Sequence, residues 1–136
     1  MWRLEIPNPF DNVIVDTASY AYRDLLSLDR WESFVPTASL TAVGTPAYLG
    51  LYRVVGAQCF WQVKITPATS IATTAGTSYL NLPRAASGYG GMVSMVDLTA
   101  LTSVGTGVID TSTGRAYLPT QSASAHVFVV SGWQQI

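Results

Sequence analysis

The chain has few charged residues, and it has very few of them after its first 32 positions. It contains 136 residues, of which seven are Lys or Arg and eight are Asp or Glu. Only six of these charges follow Glu32, and the mean hydropathy is +0.28. Charged residues make up 11% of the chain, whereas a soluble domain usually has about 25%. The composition therefore predicts that copies of the chain, or a larger assembly, cover part of its apolar surface.

Other absences exclude whole classes of protein. The net charge is −1 and the cations are scattered, so we expect no nucleic-acid partner, because phosphate binding needs clustered Lys and Arg. No run of 18 apolar residues is present, which predicts no membrane span. The N-terminus lacks the basic start and apolar centre of a secretory signal. We therefore expect the chain to fold in a cytosol.

A single cysteine and a single histidine limit the chemistry of the chain. Cys59 has no partner for an internal disulfide, and we expect it to be buried. His126 stands in an apolar run that favours a structural role, and zinc would need several such ligands. Asp97 and Asp110 are the acids of the later part, and we expect both at strand ends. The sequence thus predicts no enzyme, no metal site and no cofactor.

The N-terminal part, residues 1–30, differs from the rest of the chain. Pro7 and Pro9 exclude a helix over residues 1–10, so this stretch is predicted to be extended. Apolar residues then recur at helical spacing and predict a short helix over residues 17–29. The residues on this apolar stripe are Ala18, Ala21, Tyr22, Leu25 and Leu28.

From Trp31 onward the pattern is typical of β-strands. Residues 59, 61, 63 and 65 are apolar and alternate with polar ones, which places Trp61 in a core. Phe60 interrupts the polar side, and an aromatic residue there predicts a subunit contact. Further strands are predicted at Tyr48–Val55, Thr77–Leu82, Gly91–Val96, Gly105–Asp110, Arg115–Leu118 and Ala125–Ser131. Residues 110–114 are predicted to form a hairpin turn, with Gly114 in the left-handed conformation. Seven or eight strands with regular turns predict an all-β fold over 31–136, an antiparallel β-sandwich or jelly-roll-like domain.

The last run, His126–Val130, is apolar on both faces and predicts a strand that is buried on both sides. In a small domain the second side can be a neighbouring copy, so Phe128 and Val130 join Phe60 as predicted interface residues. Three aromatic residues are candidates for stacking on sugar rings: Tyr89 in a glycine-rich loop, Tyr117 and Trp133. Packing in the core or between subunits is the alternative for each of them.

Four short motifs follow one another in a fixed order within residues 31–136. They are Trp31–Thr37 at a strand opening, Gly50–Gly56 leading into a long strand, Leu80–Pro83 at a strand end, and Ser131–Trp133 near the end of the chain. In this order the β-rich part resembles the C-terminal module of bacteriophage tail fibres and tailspikes. In that family the module is a homotrimeric β-sandwich at the tip of an appendage, and it is often associated with binding host surface glycans.

The resemblance implies a homotrimer in a virion, with other virion structural proteins and a host cell-surface polysaccharide as partners. The N-terminal part would then attach to the particle through its large apolar side chains Trp2, Leu4, Ile6 and Phe10. The chain departs from that family in one respect, because fibre proteins are usually far longer and have a shaft before the tip. Since only 30 residues precede the module here, we expect a short virion knob, a head fibre or a decoration protein. Two alternatives remain: a decoration or adaptor protein with no host ligand, and a small glycan-processing enzyme that uses Asp97 and Asp110.

Overall fold

A computed structural model describes residues 30–136 of the chain. The predicted helix over 17–29 and the predicted anchor residues Trp2, Leu4, Ile6 and Phe10 lie outside the described residues. Within residues 30–136 there are twelve strands and no helix. The strands are β1 (Glu32–Phe34), β2 (Ala38–Ser39), β3 (Thr41–Val43), β4 (Ala47–Val55), β5 (Gln58–Thr66), β6 (Ser70–Thr73), β7 (Tyr79–Asn81), β8 (Gly91–Asp97), β9 (Thr102–Asp110), β10 (Arg115–Tyr117), β11 (Gln121–Ser124) and β12 (Phe128–Gln135).

The described strands form two antiparallel sheets. The larger sheet has nine strands in the order β1-β4-β5-β12-β8-β9-β10-β7-β2, and the smaller one has the order β11-β6-β3. Side chains from β5, β7, β8, β10, β12 and β6 share one buried core. Since strands far apart in the larger sheet meet in this core, that sheet curls around it. The described part is therefore an all-β, β-sandwich-like fold, as the sequence predicted.

Strand β5 shows most directly how the sequence sets the two faces of the sheet. Cys59, Trp61, Val63 and Ile65 are at most 2% exposed, and the residues between them point outward. The predicted alternation and the core position of Trp61 are thus confirmed. The predicted turn over 110–114 is also confirmed, because it joins β9 to β10 with Gly114 at φ +71°.

The last strand differs from the prediction at its start. His126 and Val127 precede β12, which begins at Phe128 and runs on to Gln135. Phe128 and Val130 are 0% exposed and belong to the core of a single chain. The expectation that they contact a neighbouring copy is therefore wrong. The outward residues of this strand are Val129, Ser131 and Trp133, as alternation requires.

Candidate functional site

Five side chains form a shallow aromatic depression on the outward side of the larger sheet. The strand register places Arg53 opposite Phe60, Phe60 opposite Trp133, and Trp133 opposite Met92. Trp31 completes the depression, whose volume is about 370 Å³. The Arg53 guanidinium carbon lies 5.2 Å from the Trp31 ring centroid and 5.5 Å from that of Phe60. These cation–π contacts hold the one charge of the depression over apolar rings.

A second outward cluster, the tyrosine patch, consists of Tyr79, Tyr117, Arg115, Asp110 and Val108. The two tyrosine rings meet edge to face with their centroids 5.7 Å apart, and the Arg115 guanidinium carbon lies 4.0 Å from the Tyr79 centroid. Tyr117 and Val108 are cross-strand partners, as are Arg115 and Asp110. An open depression of about 450 Å³ lies beside Val108, Asp110 and Tyr117. The patch therefore combines apolar ring surface with one cation and one anion.

The charges of the tyrosine patch are held by local hydrogen bonds. Ser112 Oγ and Thr113 Oγ1 donate to the Asp110 carboxylate at 2.7 and 2.8 Å, and the Ser112 N–H donates at 3.0 Å. These bonds lower the pKa of Asp110 below its ordinary value. A hydrogen bond with Tyr117 is the main cause that raises the pKa of Arg115. Both groups are thus ionised at neutral pH.

Tyr89 lies at the tip of the loop between β7 and β8, and its side chain is fully exposed. The backbone of this loop is tied to the last strand, because the Ser87 N–H donates to the Gln135 carbonyl and the Tyr89 N–H donates to Gln135 Oε1. The predicted surface position of Tyr89 is confirmed. A ring held out on a pinned backbone loses little freedom on contact with a ligand.

The fold does not gather the three predicted ligand residues at one point. Trp133 on β12 and Tyr117 on β10 are three strand positions apart in the sheet, which corresponds to roughly 14 Å. Trp133 belongs to the aromatic depression with Phe60, whereas Tyr117 belongs to the tyrosine patch. Phe60 points outward and is half-buried, as predicted for a contact residue. One sugar ring can therefore reach either cluster, but not both.

The sequence analysis missed one polar pair, between Asp97 and His126. His126 Nδ1 lies 2.7 Å from Asp97 Oδ2, and Asp97 Oδ1 accepts the N–H groups of Thr99 and Ala100 at 2.9 Å. Burial by itself raises the pKa of the Asp97 carboxyl, but the bonds from Ala100, His126 and Thr99 outweigh it and lower that pKa. The pair fastens the turn after β8 to the segment before β12. Its two residues are 29 apart in sequence, so no local motif could show it.

The fold also separates the two carboxylates considered for glycoside cleavage. Asp97 pairs with Thr102 at the start of β9, and Asp110 is the last residue of that strand. Eight residues of strand correspond to roughly 26 Å, whereas glycosidase carboxylates lie about 5–9.5 Å apart. Asp97 and Asp110 therefore cannot act on one glycosidic bond within a single chain.

The part of the chain from residue 30 onward has neither a cluster of metal ligands nor a membrane-spanning helix. It holds no group of three or more His, Cys, Asp or Glu side chains able to bind a metal ion. It also holds no helix of the length and apolar character needed to cross a bilayer. Cys59 is completely buried, and burial raises the pKa of its thiol, so it is a poor nucleophile. The outward aromatic clusters are therefore the candidate sites of the described part.

Comparison of the chain with known protein families, curated proteins and solved structures finds no match.

Proposed function

We propose that this chain is the knob of a bacteriophage virion appendage, either a tail fibre or spike or a head fibre. In this proposal it forms a homotrimer, attaches to the particle through its N-terminal part, and binds a saccharide on the host surface. The phage assignment rests on the resemblance of the four ordered motifs. The saccharide assignment rests on one of the two outward aromatic clusters, the tyrosine patch.

Two of the four motifs, Trp31–Thr37 and Gly50–Gly56, pack against each other, which supports treating them as parts of one structural unit. A Cβ at Gly50 would lie 2.6 Å from a ring carbon of Phe34, so only glycine leaves room for that ring. Phe34 in turn packs edge to face on Tyr52, with the ring centroids 5.8 Å apart. The opening motif and the Gly50–Gly56 motif therefore form one contact between β1 and β4.

The observation that carries the saccharide assignment is the tyrosine patch. A sugar ring has an apolar C–H face and a rim of hydroxyl groups. The exposed parts of Tyr117 and Tyr79 offer apolar ring surface, while Arg115 donates and Asp110 accepts hydrogen bonds beside them. Sites for small ligands usually consist of an apolar surface with a few polar groups beside it. Since the two charges cancel, the patch fits a neutral saccharide better than an acidic one.

An array of bacterial surface polysaccharides tests this assignment. We expect the wild-type chain to bind at least one neutral polysaccharide, and Tyr117→Ala to weaken that binding about tenfold, the effect of losing one aromatic contact of about 1.4 kcal/mol. Tyr117→Phe keeps the ring and is expected to retain most of the binding. Val35→Ala changes a residue that is 89% exposed and outside the patch, and it should leave binding unchanged.

The second candidate is a structural decoration or adaptor protein of the virion with no host ligand. It is favoured by the apolar side chains that remain exposed outside the tyrosine patch, such as Leu49 at 70% and Met92 at 60%. Such a surface is explained by assembly alone. A wild-type chain that binds no polysaccharide on the array would favour this candidate over the first.

A further inference from the structure

Strands β4, β5, β12 and β8 present a continuous surface on their outward side, here called the outer face. The strand registers align its side chains in three rows across the strands. The rows are Leu49-Lys64-Val129-Val96, Leu51-Gln62-Ser131-Ser94 and Arg53-Phe60-Trp133-Met92. Two rows are thus rich in apolar and aromatic residues, and the row between them is mostly small and polar.

Residues 30–136, the part of the chain that the structure describes, cover the apolar residues of the outer face incompletely. Leu49 is 70% exposed, Leu51 38% and Met92 60%. A depression of about 250 Å³ lies between Leu49, Leu51, Lys64 and Val129. It adjoins the aromatic depression, because Gln62 lines both. The outer face is therefore one uncovered surface that crosses four strands.

The outer face carries two like charges, and each is placed so that it can stay away from a neighbouring copy. Its two charged residues in the three rows are Arg53 and Lys64, and both are basic. Arg53 is held over the rings of Trp31 and Phe60. Lys64 carries its charge on a long apolar stem that can cover apolar surface while the ammonium group reaches water. The middle row of Gln62, Ser131 and Ser94 adds uncharged groups that can form hydrogen bonds with a neighbour.

We infer that the outer face is the surface through which copies of this chain pack against each other. This inference rests on the proposed homotrimer and assigns its contact surface. Four strands about 4.8 Å apart and up to nine residues long span roughly 19 by 30 Å, or about 600 Å² in projection. The relief of the side chains adds to this area. The area of the outer face therefore approaches the roughly 800 Å² that each partner buries in a stable interface. It exceeds the roughly 400 Å² that each side buries in a typical lattice contact.

A second copy fits this face better than a highly charged partner. The surface is flat and mostly neutral, and the chain as a whole carries only 11% charged residues. Any copy brings an identical, charge-poor surface to the contact. Three copies arranged about a threefold axis can each turn this face inward, and this is a closed arrangement that leaves no copy of the face exposed.

Native mass spectrometry of the full chain and two single-charge variants tests the inference. Leu49→Lys and Val129→Lys each place a cation on the outer face, and Val35→Lys is the matched control, because Val35 is 89% exposed outside the face. We expect wild type and Val35→Lys to be trimers. Leu49→Lys and Val129→Lys should dissociate at protein concentrations at least about 30-fold higher than wild type. Each adds a second cation directly opposite Lys64, and like charges brought together in an interface cost about 2 kcal/mol or more. Circular dichroism checks that each variant is folded, and Leu49→Ala replaces a variant that is not.

The other possible results contradict either the homotrimer or the assignment of its contact surface. A monomeric wild type would overturn the inference and the homotrimer together, and would leave the face to a different occupant. A trimer that persists unchanged in both outer-face variants would overturn the assignment of the face alone. Equal dissociation of Val35→Lys would also overturn it, because the effect would then not be specific to the face. The polysaccharide array tests the host-binding function independently of all these outcomes.

Discussion

Replacing Phe128 distinguishes the core of one chain from the contact between chains. The ring of Phe128 is 0% exposed at the start of β12, where its cross-strand partners are Ile65 and Asp97. The sequence alone placed this residue at a subunit interface. Because the ring is buried in the core, we expect Phe128→Ala to lower the stability of the subunit itself and to leave the outer face intact.

The size of the effect follows from the buried ring. Removing about 150 Å² of apolar surface from the core costs about 4 kcal/mol at roughly 25 cal/mol per Å². This agrees with the 3–5 kcal/mol that is typical of Phe→Ala changes in protein cores, where a cavity adds to the lost transfer energy. The free energy of unfolding of a domain is about 5–15 kcal/mol in total, so this substitution would remove a large part of it. Phe128→Leu is a milder change, and we expect it to cost about 1 kcal/mol.

Urea unfolding followed by tryptophan fluorescence measures this cost, and native mass spectrometry of the folded variant measures association. We expect a large drop in the unfolding midpoint of Phe128→Ala and an unchanged number of chains for Phe128→Leu. Val129→Ala is the control on the adjacent outward position, and in dissociated subunits it should cost well under 1 kcal/mol. A Phe128→Ala chain as stable as wild type, but dissociated, would refute the placement of Phe128 in the core.

Two further predictions concern stability. Gly132→Ala should destabilise the chain by about 1–3 kcal/mol, because the new Cβ would meet the Met92 carbonyl oxygen and would lie 2.8 Å from Trp61 Cζ2. Ser131→Ala is the control on the neighbouring residue. Equal urea midpoints for the two variants would contradict the close packing around Gly132. The lowered pKa values of Asp97 and Asp110 predict stability that is constant above their ordinary value of 3.8 and falls as the pH drops through the lowered values. Urea midpoints between pH 7 and pH 2 measure this, and a midpoint that rises in acid would be inconsistent with it.

The sequence predicted those parts of the fold in which a local pattern is complete. Strand β5 is nine residues long and shows several periods of alternation, so its buried face could be read directly. The 110–114 turn was recognisable from its Asp, Thr and Gly residues. Strand β1 lies within the Trp31–Thr37 motif, which the resemblance gave as an opening strand. Strands β2 and β3 have two and three residues, too few to show a period, and they were not predicted. The run His126–Val130 misled because apolar residues on both faces conceal which face is inward.

The candidate site could be predicted only in part, because its contacts are not local. The sequence identified Tyr117, Tyr89 and Trp133 as notable aromatic residues. It could not show that Tyr117 packs on Tyr79 beside Arg115, because that cluster depends on the order of β9, β10 and β7 in the sheet. The Asp97–His126 pair was missed for the same reason. Pairing of β8 with β12 places Asp97 opposite Phe128, and only then does His126 come near it.

The mass of the full-length wild-type chain in solution tests the central claim most directly. The claim is that the outer face is covered by copies of the chain, and one subunit has a mass of 14.6 kDa. Light scattering across a hundredfold range of micromolar concentrations should give one species of three times that mass. A single species of one chain's mass throughout that range, folded and soluble, would contradict the claim.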